Sequence, residues 1–194
     1  GLVPFWSEKF LSPINFSIEH GETLVITGPS GIGKSTLAAA LFGFTPYEGS
    51  LAIGGVEVSE ITDLSSCISG TLQNSYIFNT SLRENLKIAD SGLSDEKLRE
   101  VVKAMELDAI SLDEILGEFG RTLSGGEAKR LAIARALLSP APIVLLDEPL
   151  EHLDSLLADR IQSAISLLLD GRSLIVITHS PWLQYSRKLV LERE

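Results

Sequence analysis

Apolar and polar positions along the chain follow two periods. Ile14, Phe16 and Ile18 interleave with Asn15, Ser17 and Glu19, the period-2 pattern of a half-buried strand. Leu24-Val25-Ile26 is instead an unbroken apolar run, as in a strand covered on both faces. It leads into the glycine-rich stretch 28–33 and a helical stretch over 34–42. Ser50–Ile53, the Gly54-Gly55 pair and Val56–Val58 predict a hairpin. From about Ser81 to Ser139 the pattern turns helical. Leu98, Val101, Val102 and Met105 recur at i, i+3, i+4 and i+7, which predicts an amphipathic helix with Met105 in the core. Glu96, Lys97, Arg99 and Glu100 form its solvated face. Ile143–Leu146 and Leu174–Ile177 are further buried-strand runs, and Leu157, Ile161, Ala164, Ile165 and Leu168 predict a helix covering the sheet. Strand and helix alternate at both ends of the chain, so the expected fold is α/β with a mainly parallel sheet and a small antiparallel β part. A helical lobe is expected over about 81–138, inserted into a core formed by about 1–80 and 139–194.

Composition narrows the class. The 194 residues suffice for one domain of ordinary size, and 44% apolar residues with 22% charged ones support a packed core. A net charge of −10 excludes the electropositive surface that grips nucleic-acid phosphates, so no nucleic-acid partner is expected. No apolar run approaches the ~20 residues of a membrane span. Cys67 is the single cysteine, which excludes an intrachain disulfide and a cysteine-based zinc site and predicts a small buried hydrophobe. The chain starts at Gly1 and ends near a strand-like Lys188-Leu189-Val190-Leu191, so it is expected to be a segment of a longer protein.

Three motifs carry chemistry. Gly28-Pro29-Ser30-Gly31-Ile32-Gly33-Lys34-Ser35, followed by Thr36, matches the phosphate-binding loop G-x-x-x-x-G-K-[ST] between a predicted strand and a predicted helix. Glycines let the backbone approach phosphates, and the loop and helix N–H groups converge on an anion. Lys34 reaches the β/γ-phosphates and the Ser35 hydroxyl can ligate Mg²⁺. Asp147 and Glu148 end the buried run Ile143–Leu146. Asp147 suits the Mg²⁺ shell, and Glu148 can orient or deprotonate an attacking water. Strand-end acids also cap helices, and that reading weakens beside a phosphate loop. Leu123-Ser124-Gly125-Gly126-Glu127 has the spacing of a capping box. A cap does not need two glycines, which are costly at a helix start. They bare N–H groups at a positive helix end, a second anion site. Two such termini with one loop point to a nucleotide shared between two molecules.

Together these motifs resemble the nucleotide-binding domain of ATP-binding cassette (ABC) proteins over essentially the whole chain. The resemblance implies a P-loop NTPase (ABC ATPase) core that binds ATP with Mg²⁺. It implies that 28–36 and Ser124, Gly125 and Gly126 bind nucleotide, and that Ser35, Gln73 and Asp147 serve the metal. Catalysis would involve Glu148, Lys34, Gln73 as the Q-loop glutamine and His179 as the switch histidine. Asp154 would belong to the D-loop at a dimer interface. The implied partners are a second nucleotide-binding domain, in a homo- or heterodimer, and transmembrane domains, at the cytoplasmic face of a cell membrane. Leu116–Gly120 and Phe78–Leu86 resemble segments of exporter-type cassettes. A further similarity joins 41–50 and 148–154 to heterodimeric bacterial exporters of cysteine and glutathione that serve cytochrome bd assembly.

Leu150 and Glu151-His152 depart from the small or hydroxylated residues usual at their positions. Phe5 and Trp6 are the candidates for stacking on adenine, or anchors of the N-terminus. His20 and His152 are expected at the surface. Rival classes fit less well. The short interval from Gln73 to Ser124 has no sustained heptads, unlike the ABC ATPases of DNA repair. One cassette and an acidic charge do not resemble the ribosome-acting members, and no Asn-Lys-x-Asp motif reads guanine. A non-hydrolysing regulatory cassette is the closer alternative, against which Lys34, Asp147, Glu148, Ser124 and His179 are all present.

Overall fold

The computed structural model describes residues 3–4, 14–73 and 76–192. Phe5 and Trp6, the adenine-stacking candidates, lie outside the described residues. Contacts divide the chain into two units. The first is Gly1–Gln73, Ala141–Glu148 and Gly171–Glu194, and the second is Asn74–Pro140 with Pro149–Asp170.

In chain order the first unit holds β1 (Val3–Pro4), β2 (Thr23–Thr27), α1 (Lys34–Leu41), β3 (Tyr47–Glu48), β4 (Ala52–Ile53), β5 (Val56–Glu57), β6 (Ile68–Thr71), β7 (Ile143–Asp147), β8 (Ser173–Ile177) and β9 (Arg187–Val190). Five strands form one sheet in the order β6-β7-β8-β2-β9, with every neighbouring pair parallel. The three interior strands are the three apolar runs of the sequence, because strands packed on both faces leave no solvated face for polar side chains. Ile26, Leu37, Ala38, Leu145 and Ile177 are fully buried in one cluster with Ile32 of the glycine-rich loop. Each such aliphatic side chain contributes about 1.5–3 kcal/mol by leaving water.

Two small antiparallel pairs, β1 with β3 and β4 with β5, complete this unit. The β4–β5 hairpin turns on Gly54 (φ 59°) and Gly55 (φ 82°), both in the left-handed region that a two-residue I′ turn requires. The expected strand over 14–18 is not formed. Ile14, Phe16 and Ile18 do turn inward while Asn15 and Ser17 are exposed, but only an isolated bridge is made, at Ile14. Alternation sorts side chains between two faces; it does not supply a hydrogen-bonding neighbour. Cys67 is half-buried, not buried, because it closes a 3-10 turn leading into β6.

The second unit contains α2 (Leu82–Lys87), α3 (Asp95–Ala104), α4 (Gly125–Leu138) and α5 (Ser155–Leu168). Each starts on a residue whose side chain accepts from a first-turn N–H: Ser81, Ser94, Ser124 and Asp154. Leu98, Val101, Val102 and Met105 are buried as the helical period predicts. The segment 149–170 groups with this unit because α5 packs on α3, whereas the sequence reading set it in the sheet-bearing core. An apolar stripe specifies that a helix face is covered, not what covers it.

The Arg135 guanidinium on α4 clasps α2 and the segment before it. Its Nε donates to the Asn85 carbonyl at 2.8 Å, Nη1 to the Tyr76 carbonyl at 2.6 Å and Nη2 to Asn85 Oδ1, while the group lies 5.5 Å from the Phe78 ring centre. Burial pushes its pKa down to about 10. Asn85, fully buried, donates from Nδ2 to the carbonyls of Phe78 at 3.0 Å and Thr80 at 3.2 Å.

At the head of α4, Ser124 Oγ accepts from Glu127 N at 3.2 Å and Glu127 Oε2 accepts from Ser124 N at 2.8 Å, a closed capping box. The Ser124 backbone N–H, and behind it the Arg121 side chain, hold the Glu127 pKa below its ordinary 4.5. A carboxyl whose pKa is lowered on folding stabilises the fold above its unfolded pKa, and that contribution is lost as pH falls through the folded value. Glu127→Gln keeps the shape without the charge, so it is expected to lower stability by about 1 kcal/mol at pH 7. Urea titrations should show the difference closing as pH falls below 4.5. In the sheet, a Cβ on Gly70 would collide with the Leu145 carbonyl of the neighbouring strand. Gly70→Ala is therefore expected to cost about 2–4 kcal/mol in urea unfolding, the scale of an overpacked interior.

Candidate functional site

Parallel pairing brings the sequence motifs to one edge. Asp147 pairs with Ile177 across β7 and β8, and Ile26 pairs with Ile177 across β2 and β8. The three strands therefore end level, and the chain leaving each carries a motif: 28–36 after β2, Asp147-Glu148 at the end of β7, and Thr178-His179 after β8. Gln73 follows β6, the next strand, and is exposed. The carboxyl edge of an open parallel sheet is where such folds form a ligand crevice.

The loop 28–33 is shaped by close approach and by left-handed backbone. A Cβ on Gly28 would come within 2.8 Å of the Leu191 carbonyl, so the chain just past β9 leaves room there only for hydrogen. Gly31 (φ 74°) and Gly33 (φ 101°) take conformations that other L-residues adopt at a cost. Ile32, 1% exposed, pins the loop into the core. Pro29, Ser30, Gly31 and Ser35 stay exposed, and Gly33, Lys34 and Thr36 are half-buried. Gly33 caps α1 without a side-chain hydrogen bond, and the first turn carries no acid, so helix N–H groups and a positive helix end are presented without competition from the chain itself. Lys34 Nζ is held by the carbonyls of Gly28 at 2.9 Å and Pro29 at 3.1 Å, which aims an ammonium across the loop.

Asp147 is 2% exposed and Glu148 8% exposed. Glu148 sits at φ 48°, a left-handed backbone that costs a non-glycine residue about 1 kcal/mol. Its N–H donates to the Ile177 carbonyl at 2.8 Å, which holds this conformation. The two carboxylate oxygens have different neighbours. Oε2 accepts from Thr178 Oγ1 at 3.1 Å and from His179 N at 3.3 Å, while His179 Nδ1 lies 2.8 Å from Oε1. The His179 side chain is 60% exposed and that of Glu148 11%, so the imidazole screens the acid from solvent on that side. A carboxylate lodged beside an imidazole can orient water and accept its proton.

Ser124, Gly125 and Gly126 belong to the second unit, at the start of α4. Neither glycine has a positive φ, and a Cβ on Gly125 would meet nothing within 4 Å. A Cβ on Gly126 would make only ordinary contacts, at 3.5 Å with Leu153. The fold itself thus makes no use of the missing side chains, while helix geometry leaves the N–H groups of both residues without intrahelical acceptors. Asp154 Oδ1 caps α5 by accepting from Leu157 N at 3.0 Å. Lys129 Nζ lies 3.1 Å from Glu151 Oε2, and His152 (φ 65°) is exposed, as is His20.

The donor set suits a hard cation held partly by substrate oxygens. The Ser35 hydroxyl, the Asp147 carboxylate and the Gln73 amide offer oxygen ligands. No group of three His, Cys, Asp or Glu able to hold a metal alone occurs among the described residues. That is the donor chemistry of Mg²⁺ bound through phosphates and water rather than of an all-protein cage. Sequence reasoning missed Leu191, which makes Gly28 obligatory, and Thr178, which touches Glu148. Both act across pairings of distant strands, and no local pattern marks them.

Comparison with known proteins agrees with this geometry. The family model described as ABC transporter matches residues 11–151. The glutathione/L-cysteine transport system ATP-binding/permease protein CydC of Escherichia coli is 37% identical over 91% of this chain and 32% of its own length. The ATP-dependent lipid A-core flippase of Desulfotalea psychrophila is 37% identical over 90% of this chain and 32% of its own. The chain therefore spans about a third of the length of these relatives. A bacterial Atm1-family ABC exporter solved with ATP bound superposes with a TM-score of 0.86 at 30% identity, over 98% of this chain and 36% of that one. No helix among the described residues is long and apolar enough to cross a membrane. With its parallel sheet, phosphate loop and helical unit, the chain belongs to the ABC transporter family, as an ATP-binding domain.

Proposed function

We propose that the chain binds ATP with Mg²⁺ and hydrolyses it, and that two such domains close on two nucleotides to drive the membrane part of an exporter. The observation that carries this reading is the anion cradle at 28–36 on the same sheet edge as Asp147 and Glu148. The cradle's N–H groups and Lys34 bind the β- and γ-phosphates and offset charge that grows as the γ-phosphoryl group transfers. Ser35, Asp147 and Gln73 would hold Mg²⁺, which would supply neutralisation of the phosphate charge. Glu148 orients a water and takes its proton. The water oxygen bonds to the γ-phosphorus while the bond to the β–γ bridging oxygen breaks, leaving ADP and phosphate. His179 contacts the γ-phosphate and, through Nδ1, keeps Glu148 in place.

Dimerisation is supported by Ser124–Gly126, where two glycines serve no need of their own fold and bare N–H groups at a helix start. A γ-phosphate from the other domain's cradle would satisfy them, with Asp154 and the Glu151-His152 pair at the same interface. Hydrolysis removes that attraction and the pair opens. The remaining partner is a transmembrane domain, which sets the chain at the cytoplasmic face of a membrane. Cysteine or glutathione is the cargo supported by the similarity at 41–50 and 148–154 and by the name of the relative from Escherichia coli. Uptake of labelled glutathione by inverted vesicles bearing the full-length protein tests it; ATP-dependent movement of lipid A core instead would overturn it.

Lys34→Ala is expected to weaken MgATP binding at least about tenfold in calorimetric titration, by loss of a charge-assisted contact. Glu148→Gln is expected to keep binding while single-turnover hydrolysis falls about 100-fold or more. With ATP that variant should run as a dimer on size exclusion. A wild type that fails to bind MgATP, or a Glu148→Gln that turns over normally, overturns the reading.

A further inference from the structure

Glu148 is held by more than its histidine neighbour, and the additional contact has a defined polarity. Thr178, 1% exposed, lies directly after β8. Its Oγ1 accepts from Ser180 N at 3.0 Å. The same hydroxyl is 3.1 Å from Glu148 Oε2. A backbone N–H can only donate and a carboxylate can only accept, so the hydroxyl proton must point at Glu148. The chain Ser180 N–H to Thr178 O–H to Glu148 Oε2 therefore runs one way. His179 N supplies a second donor to Oε2 at 3.3 Å. Two donors from the end of one strand thus meet Oε2, while Oε1 lies 2.8 Å from the His179 ring Nδ1.

We propose that Thr178 is a positioning residue for hydrolysis: its hydroxyl, donating to Oε2, fixes the plane in which the Glu148 carboxylate meets the water. This rests on the reading of Glu148 as the proton acceptor. The position demands a β-branched or small hydroxyl. Valine has the volume without the donor, and serine has the donor without the methyl group. The left-handed backbone of Glu148, at φ 48°, gives its side chain an uncommon starting direction that Thr178 meets.

The test is single-turnover hydrolysis of ATP by Thr178→Val and Thr178→Ser, alone and in the Glu148→Gln background, with ATP affinity and thermal midpoint measured in parallel. Thr178→Val is expected to lower the hydrolysis rate at saturating ATP roughly tenfold, the scale of one hydrogen bond to a charged group. ATP affinity should change less than about twofold, because Thr178 donates nothing to the loop 28–36. Thr178→Ser should restore the rate to within about twofold. In the Glu148→Gln background Thr178→Val should have no further effect on the rate, as expected for two residues acting through one group. A Thr178→Val enzyme with a wild-type rate, or one whose loss serine does not rescue, overturns the inference while leaving Glu148 as the acceptor. A Glu148→Gln enzyme with undiminished rate instead overturns the reading beneath it, and the two failures are thereby told apart.

Discussion

Parallel hydrogen bonding sets β7, β8 and β2 side by side with Asp147 opposite Ile177 and Ile177 opposite Ile26, so three chain segments leave the sheet at one level. Everything chemical in the first unit depends on that register. Adjacent strands lie roughly 4.8 Å apart, so a slip of one residue would carry a motif by about 3.3 Å and turn its side chains to the opposite face. The register is enforced by the apolar interior, where Val25, Val144, Leu145 and Val176 are buried and cannot be shifted outward without exposing hydrocarbon. Gly70 tightens it further, since its Cα approaches the Leu145 carbonyl too closely for any side chain.

On this frame the site combines freedom and constraint in different places. The cradle 28–33 presents N–H groups and left-handed glycines at the surface, with Ile32 as its one deep anchor. Glu148 is constrained from every side: a left-handed backbone, an amide bonded to Ile177, and a carboxylate divided between Thr178, the His179 amide and the His179 ring. An uncommon backbone held by several independent contacts is the pattern of a residue whose direction matters more than its stability.

The second unit solves a different problem, that of ending helices in the presence of polar chain. Serine or aspartate caps begin all four of its α-helices. The segment 76–81 is tied down by Arg135 and Asn85, whose side chains donate to its carbonyls, groups that would otherwise need water. The same helix therefore offers bare N–H groups at Gly125 and Gly126 and grips the segment after Gln73 with Arg135, three turns later.

Much of this was legible in the sequence. The unbroken runs at 24–26, 143–146 and 174–177 are interior strands because their composition fits no half-solvated position, and the loop 28–35 announces itself by glycine spacing and Lys34. The capping box at Ser124 and Glu127 and the core role of Met105 were equally readable, since both depend on residues within a few turns. Other features depended on distant chain. The alternation at 14–18 could not say whether a neighbouring strand would pair with it, and the stripe on 155–168 could not say that α3 would cover it. The need for glycine at 28 comes from Leu191, and the anchoring of Glu148 comes from Thr178, each just past the end of a strand far along the sequence. The sequence by itself determined which backbone groups were bared and which side chains were apolar, because those are properties of single residues and short spacings. Only the tertiary structure decided how the Glu148 carboxylate is held and which glycine is obligatory, because both are set by atoms that meet through strand pairing.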